Sequence, residues 1–529
     1  MILPRLFLPP LWLRPLVIVV LILGMFFRFV NVDRKVFWHD EVHTALRISG
    51  YDTPQTKAQI FTGQVIDIAA IQKFQKINPD KNVVNTIISL ATDDPHHPPL
   101  YYVLTRIWAQ LFGDSVASLR IPSVIISLLV LPLAYWFCWE LFHSSLVAWF
   151  AVSFFAISPF QVIYAQEARE YSLWIVMVLL VNIAFLRANR LNNISSWVVY
   201  SLSLTASYYT AIFAIPVAIG QGIYTLIQNK FNPNRNILNH FIAGLISVLL
   251  FSPWLWVIIK YKDIIDKGNA WRNSRPFVWI SMIQLWGLNI STNFADISLD
   301  INHFSNYIFP LVFTLFLAYS IYFLIRNTEQ KIWLLLIILL ISPVVYVIIP
   351  DIIMGTVISS VSRYFIPWYT AIPIIFAYVI SQKIIQNGVG NQRLYQTVFL
   401  GIITSSIISC AVASQSDAWW NKGYLGSSIS LGAKIVNQSI KPLVIADLNQ
   451  ANFGDAIALS HRVNSQTKFQ LITIPEMLTI PPGFSNIFLY NPADNLINKI
   501  KAKYGDQSIK TFEGTALLEL DPPSGLMVK

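Results

Sequence analysis

Ile121–Phe142 reads IPSVIISLLVLPLAYWFCWELF, 22 residues with a single charge at Glu140. A stretch of that length wound as an α-helix covers about 30 Å, the thickness of the hydrocarbon layer of a bilayer. Ten further segments read as spans, the fifth of the eleven, Trp197–Tyr209, being short: Pro15–Val30, Leu146–Ile163, Tyr171–Leu186, Trp197–Tyr209, Ala211–Ile227, Phe241–Ile259, Tyr307–Ile325, Ile332–Ile349, Phe365–Ile385 and Tyr395–Val412. A single soluble core cannot absorb so many apolar runs, so the sequence predicts a polytopic α-helical membrane protein of about eleven spans. Pro15–Val30 has no small-residue cleavage site and reaches spanning length, which predicts a first, uncleaved span rather than a signal peptide.

Composition agrees. The 529 residues are 55% hydrophobic and 12% charged, with mean hydropathy +0.55, whereas soluble chains carry about 25% charged residues. The net charge of +10 is not gathered into a basic cluster with interleaved aromatics, so it does not suggest nucleic acid. Arg5, Arg14, Arg187, Arg190, Lys230, Arg235, Arg326, Lys331, Lys383 and Arg393 fall in short connections on one side, the positive-inside pattern. Cys138 and Cys410, the two cysteines, lie within apolar spans and argue against a disulfide framework.

That orientation leaves three polar stretches outside: residues 31–120, 260–306 and everything after Ala413. Within them Leu100–Phe112 and Trp279–Leu288 are apolar but too short to span, and read as helices lying in the interface. From about Lys441 the runs PLVIADL, FQLITI and NIFLYNP alternate with the helical pattern ADNLINKIKAKYG, which predicts a small α/β domain. The expected division is therefore 1–412 for the membrane domain with its first outer loop 31–120, and 413–529 for an extracytoplasmic α/β domain. The latter holds no GxGxxG, nucleophile elbow or Cys/His metal cluster.

Four stretches concentrate reactive groups at outer span ends. The first loop opens on Phe37-Trp38-His39-Asp40-Glu41-Val42-His43, paired carboxylates between imidazoles; a carboxylate there could take a proton from a hydroxyl, and a plain acidic turn would account for it as well. The loop closes on Thr92-Asp93-Asp94-Pro95-His96-His97-Pro98-Pro99-Leu100-Tyr101-Tyr102, where prolines stiffen the backbone around acids and imidazoles able to hold a metal or a phosphate. Ser158–Leu173 crowds Gln166, Glu167, Arg169 and Glu170 into one turn, where charges must pair or line a wet cavity. Finally Ser362-Arg363-Tyr364-Phe365-Ile366-Pro367-Trp368 starts the tenth span with an arginine suited to grip a phosphate bidentately or to snorkel to headgroups.

The DE pair, HHPPLYY, SPFxxxYAQEARxYSL and SRYFIP, in this order and topology, resemble the membrane glycosyltransferases of the GT-C superfamily, in particular the bacterial branch related to protein O-mannosyltransferases and lipid A aminoarabinose transferases. The resemblance covers roughly residues 1–412. It implies inverting transfer of a sugar from a polyprenyl-phosphate donor to an acceptor hydroxyl of protein, lipid or polysaccharide, at the outer face of a bacterial plasma membrane. It makes Asp40 the catalytic base, with Glu41 beside it. Arg363, Arg169 and His97 are then the expected contacts of the donor phosphate, His97 standing where the aminoarabinose transferases often have lysine. His43, Tyr101, Tyr102, Gln166, Glu167, Tyr171 and Tyr364 are the expected substrate-binding residues. No cofactor is certain; Asp93, Asp94 and His96 are candidate ligands for the divalent metal that some members hold. Membrane lipids are the surroundings, and no nucleic acid partner is expected.

Two other classes compete. A transporter or flippase of a lipid-linked sugar would place broken helices or charges at the membrane midplane, and an Asp40 substitution would impair movement rather than transfer. A non-catalytic receptor would depend on the C-terminal domain and tolerate Asp40→Asn.

Overall fold

The computed structural model describes residues 8–520 except 274, 299, 387–388, 449–451, 474–477 and 506–508. The chain divides into two compact units, one of residues 1–32, 94–101 and 120–415, the other of 33–93, 102–119 and 416–529.

The first unit is helical. Among the described residues seven helices are long and apolar enough to cross a membrane, eight if the bent pair Ser145–Ile157 and Pro159–Ala165 is one span. Three helices fall short of that length, Arg14–Phe29 with 16 residues and Ile194–Tyr208 and Ala214–Gln228 with 15 each; with them every expected span coincides with a helix. The protein is a multi-pass membrane protein. Ile366–Gln386 lies at the centre of the unit, against Ser145–Ile157, Gln330–Pro343, Val389–Ser414, Ser305–Asn327 and Tyr171–Leu191.

The bent span shows how the sequence pays for irregular backbone at membrane depth. Pro159 has no N–H to offer the carbonyl of Phe155, and the helix axis turns by 52° there. Ser158 caps the second piece by accepting from the Gln161 N–H at 3.5 Å, and the Phe160 N–H donates to the Thr292 carbonyl at 3.2 Å. Three carbonyls thereby lose their helical donors. Arg28, fully buried, donates to Phe155 at 2.9 Å and to Ala156, while the Cys410 thiol reaches Ile157 at 3.2 Å. Gly24 permits this close approach, because a Cβ there would stand 2.4 Å from the Ala156 carbonyl oxygen. Each orphaned acceptor is met, as a low-dielectric interior demands.

The second unit is built on a sheet. Its strands are β1 (Val65–Asp67), β2 (Pro442–Asp447), β3 (Lys468–Ile472), β4 (Asn486–Tyr490), β5 (Ile509–Thr511) and β6 (Leu517–Leu520), in the order β1-β3-β2-β4-β6-β5. β2 runs parallel to β3 and β4, with Ile445 opposite Gln470 and Leu489; the outer pairings are antiparallel. Alternate residues Leu443, Ile445, Ile487 and Leu489 bury one face with Leu496 and Ile500 of the helix Asp494–Tyr504. The runs PLVIADL, FQLITI and NIFLYNP thus supply the three parallel strands, as their alternation with helical patterns implies.

The first outer loop, assigned from sequence to the membrane domain, contributes β1 to this sheet. Ile66 lies opposite Phe469, and the helix His39–Ile48 packs on Asn452–Ser460, every residue of which is buried.

Candidate active site

The site residues fall into two groups, one in each unit. In the first unit the break at Pro159 turns the chain so that residues 166–170 form a tight turn ahead of the helix Tyr171–Leu191. Arg169 and Glu170 are both buried, with Nε of the guanidinium 3.4 Å from the carboxylate. His97 joins them: its Nδ1 stands 3.0 Å from Glu170 Oε1, and Arg169 Nη2 lies 3.0 Å from its Nε2. An ionised carboxylate only accepts, so Nδ1 carries the hydrogen and Nε2 accepts from Arg169. Burial alone would raise the Glu170 carboxyl, but Arg169 and His97 outweigh it and hold the group at about 2. His96, its ring centre 4.2 Å from that of His97 and tilted against it, is pushed down to about 4 by burial and by His97, against the pull of Asp94.

Arg363, at the start of the central helix, lies 194 positions from Arg169 in sequence (363 less 169). The two guanidinium carbons nevertheless each stand 5.8 Å from the ring centre of Tyr171. Arg363 is also 5.5 Å from the Tyr364 ring. Arg169, Arg363, His97, Tyr171 and Tyr364, all expected from the sequence to serve the donor or the substrate, are therefore near neighbours.

Four more of the expected residues are buried. Gln166 donates to the carbonyls of Phe27 at 3.0 Å and Val30 at 2.8 Å, closing the C-terminus of the helix Arg14–Phe29. Tyr101 exchanges a hydrogen bond with Ser123 at 2.8 Å. Tyr102 is fully buried, and Glu167 is buried within the 166–170 turn.

A carboxylate and two imidazoles, Asp94, His96 and His97, bring one ligand atom each within 4.8 Å of one another, a donor set of the kind that binds divalent cations. The arrangement does not suit a cation as it stands, since His97 has both ring nitrogens engaged and a guanidinium beside it. Asp93 is not in this group. It closes the helix Val83–Asp93, and its carboxylate accepts from Arg47 at 2.8 Å and from the Thr53 backbone N–H at 2.5 Å. Of the expected ligands Asp93, Asp94 and His96, the last two stand together with His97, while Asp93 is turned away because the chain leaves its helix between the two aspartates.

In the second unit Asp40 and Glu41 occupy the first turn of the helix His39–Ile48, where the exposed N–H groups of the helix favour negative charge. Glu41 is fully buried and Asp40 half-buried. His43 lies 4.8 Å from the His39 ring and 5.7 Å from Phe453. The sequence names Glu170 among the groups crowded into 158–173 without giving it a role, and it could not have revealed Asp455, which meets His39 at 3.2 Å from a segment more than four hundred positions away.

The fold is shared with a solved membrane protein, ArnT. The chain superposes on the crystal structure of ArnT from Cupriavidus metallidurans bound to undecaprenyl phosphate over 97% of its own length and 99% of that chain, with TM-score 0.54 and 10% identity. The apo form of ArnT from the same organism covers 98% and 99% with TM-score 0.53 and 11% identity. Residues 96–257 match the family described as dolichyl-phosphate-mannose-protein mannosyltransferase, an interval that contains His96, His97, Arg169, Glu170 and Tyr171. No curated protein matches the sequence significantly.

Proposed function

We propose that the protein transfers a sugar from a polyprenyl-phosphate donor to an acceptor hydroxyl at the extracytoplasmic face of a bacterial plasma membrane, with inversion at the anomeric carbon. The observation that carries this reading is the convergence of Arg169 and Arg363 on Tyr171 beside His97. Two fixed guanidiniums beside an aromatic face suit the phosphate of a lipid-linked sugar: they bind it in the ground state and meet the charge that grows on it as it leaves. Undecaprenyl phosphate bound to ArnT, which shares the fold, supports the choice of donor.

In the step itself the acceptor oxygen attacks the anomeric carbon, its proton passes to the Asp40 carboxylate, and the bond from that carbon to the phosphate oxygen breaks. Polyprenyl phosphate departs with the bonding pair. Glu41 is buried in the same turn. The step takes its energy from the activated lipid sugar and calls for no nucleotide.

The test compares the purified full chain with its Asp40→Asn variant, both folded, for consumption of a panel of polyprenyl-phosphate sugars with membrane extract supplying acceptors, followed by mass spectrometry. Transfer by the parent that collapses in the variant supports the reading and names the sugar. Equal turnover by both overturns Asp40 as base, and lipid movement across a vesicle bilayer without transfer would favour a flippase.

A further inference from the structure

The helix that carries Asp40 begins without a side-chain cap: Trp38 holds the N-cap position with extended backbone and no capping bond. Something else must fix the direction in which its first turn points. The three side chains before Asp40 all meet the C-terminal segment. Phe37 packs edge-on against His461 at 5.2 Å, the Lys422 ammonium lies 4.1 Å over the Trp38 ring, and His39 Nδ1 stands 3.2 Å from Asp455 Oδ1.

The Asp455 contact differs from the other two. Its carboxylate is fully buried while the His39 ring is partly exposed, at 0% and 28% of side-chain surface. Burying a carboxylate is costly without a partner, and among the described residues its second oxygen meets no hydrogen-bond donor. The helix Asn452–Ser460 therefore holds a buried acid whose described hydrogen-bonding partner is the histidine adjoining Asp40. Residue 454 is fitted to the same contact, since a Cβ on Gly454 would fall 2.4 Å from His39 Nδ1. Glycine within a helix costs up to about 1 kcal/mol against alanine, and here its absent side chain is what lets the imidazole reach Asp455.

We propose that Asp455, in the C-terminal α/β segment, is a positioning residue of the active site: it holds His39 with the hydrogen on Nδ1 and thereby sets the orientation of Asp40. This rests on Asp40 being the base. An ionised Asp455 can only accept, so Nδ1 must donate to it, and Nε2 is left as the acceptor nitrogen of the ring. The C-terminal segment is then part of the catalytic apparatus rather than an appended recognition module.

The test uses the full chain in lipid nanodiscs with [15N]histidine, the His39 signal being assigned by its loss in His39→Gln, and undecaprenyl-phosphate mannose as the turnover probe. The parent is expected to show His39 as the Nδ1–H tautomer, and Asp455→Ala to release it to a mixture. Turnover of the probe should fall by about 100-fold in Asp455→Ala, the cost of a displaced catalytic group, while KM for the donor stays put because its phosphate contacts are Arg169 and Arg363. Gly454→Ala, which favours the helix but crowds the imidazole, should lower turnover in the same way. The double variant His39→Gln/Asp455→Ala should lose no more than the worse single one. An unchanged His39 tautomer in Asp455→Ala, unchanged turnover, or multiplying losses would each overturn the proposal. If Asp40→Asn also turns over normally, or if the parent does not consume the probe, the proposed function is at fault, and the histidine signal still decides whether Asp455 holds His39.

Discussion

Replacing Arg363 by methionine removes one of the two guanidiniums beside Tyr171 while keeping most of the side-chain volume. Arg363 is half-buried, so an effective dielectric near 20 applies, and a unit charge about 5 Å from a phosphate contributes roughly 3 kcal/mol. Charge-assisted hydrogen bonds measured by substitution give about 1.5–3 kcal/mol, and the two estimates agree. Affinity for undecaprenyl phosphate should therefore fall by about 10- to 150-fold. Arg169→Met should cost more, because Arg169 also neutralises the buried Glu170 and its loss removes that compensation. Titration of undecaprenyl phosphate into the full chain in nanodiscs, read by calorimetry, gives the affinities, with Asp40→Asn as a control that should bind like the parent. Equal binding by Arg363→Met and the parent would refute the phosphate assignment, because a cation so near the lipid phosphate cannot be removed without effect.

Four further outcomes follow from the structure. Asp40→Asn should reduce transfer by about 10²- to 10⁴-fold, the usual share of a general base, with lipid-phosphate binding intact; simultaneous loss of binding would mean that the substitution disrupts the fold instead. Arg28→Met leaves the carbonyls of Phe155 and Ala156 without donors, each worth about 1–3 kcal/mol, and should lower the melting temperature in detergent; an unchanged transition would show that the bend is held by packing alone. Chelation with EDTA should leave undecaprenyl-phosphate affinity unaltered, since Arg169 and Glu170 already engage His97, and a chelator-induced loss restored by a divalent ion would contradict this. Asp417 resists a pull upward from burial and is held below the ordinary carboxylate range by Lys434 and Ser430. Its contribution to stability is present above the unfolded value and lost as pH falls through the folded one, so Asp417→Asn should be less stable than the parent at neutral pH and equal to it in acid, by thermal melts across that range.

The spans were legible because their signal is length and apolarity, which need no knowledge of neighbours. The bend at Ser158–Pro159 was not, since proline within an apolar run can kink, end or merely decorate a helix, and only the donors supplied by Arg28 and Cys410 decide the outcome. Residues Val65–Asp67 escaped notice as a strand because three residues carry no period of their own; their pairing with Lys468–Ile472 makes them one. The aspartates at 93 and 94 look equivalent in sequence, yet a helix end between them sends one to Arg47 and the other to the histidines.

Each group of candidate residues was also readable where it was local. The DE pair after a span and the arginines near span ends announce themselves by type and position, because charge at such places has few uses. What no local reading could supply is which of them meet. Arg169 and Arg363 converge only because the central helix begins beside the turn that the broken span creates, and His39 meets Asp455 only because a crossover helix of the sheet packs on the helix that follows the first span. The sheet is thus doubly tied to the first loop, through β1 at its edge and through Asn452–Ser460 against His39–Ile48. A domain recognised from composition as separate folds around the very turn that carries the candidate base. Selection on catalysis would then constrain residues such as Gly454 and Asp455, which bear no sign of it in the sequence.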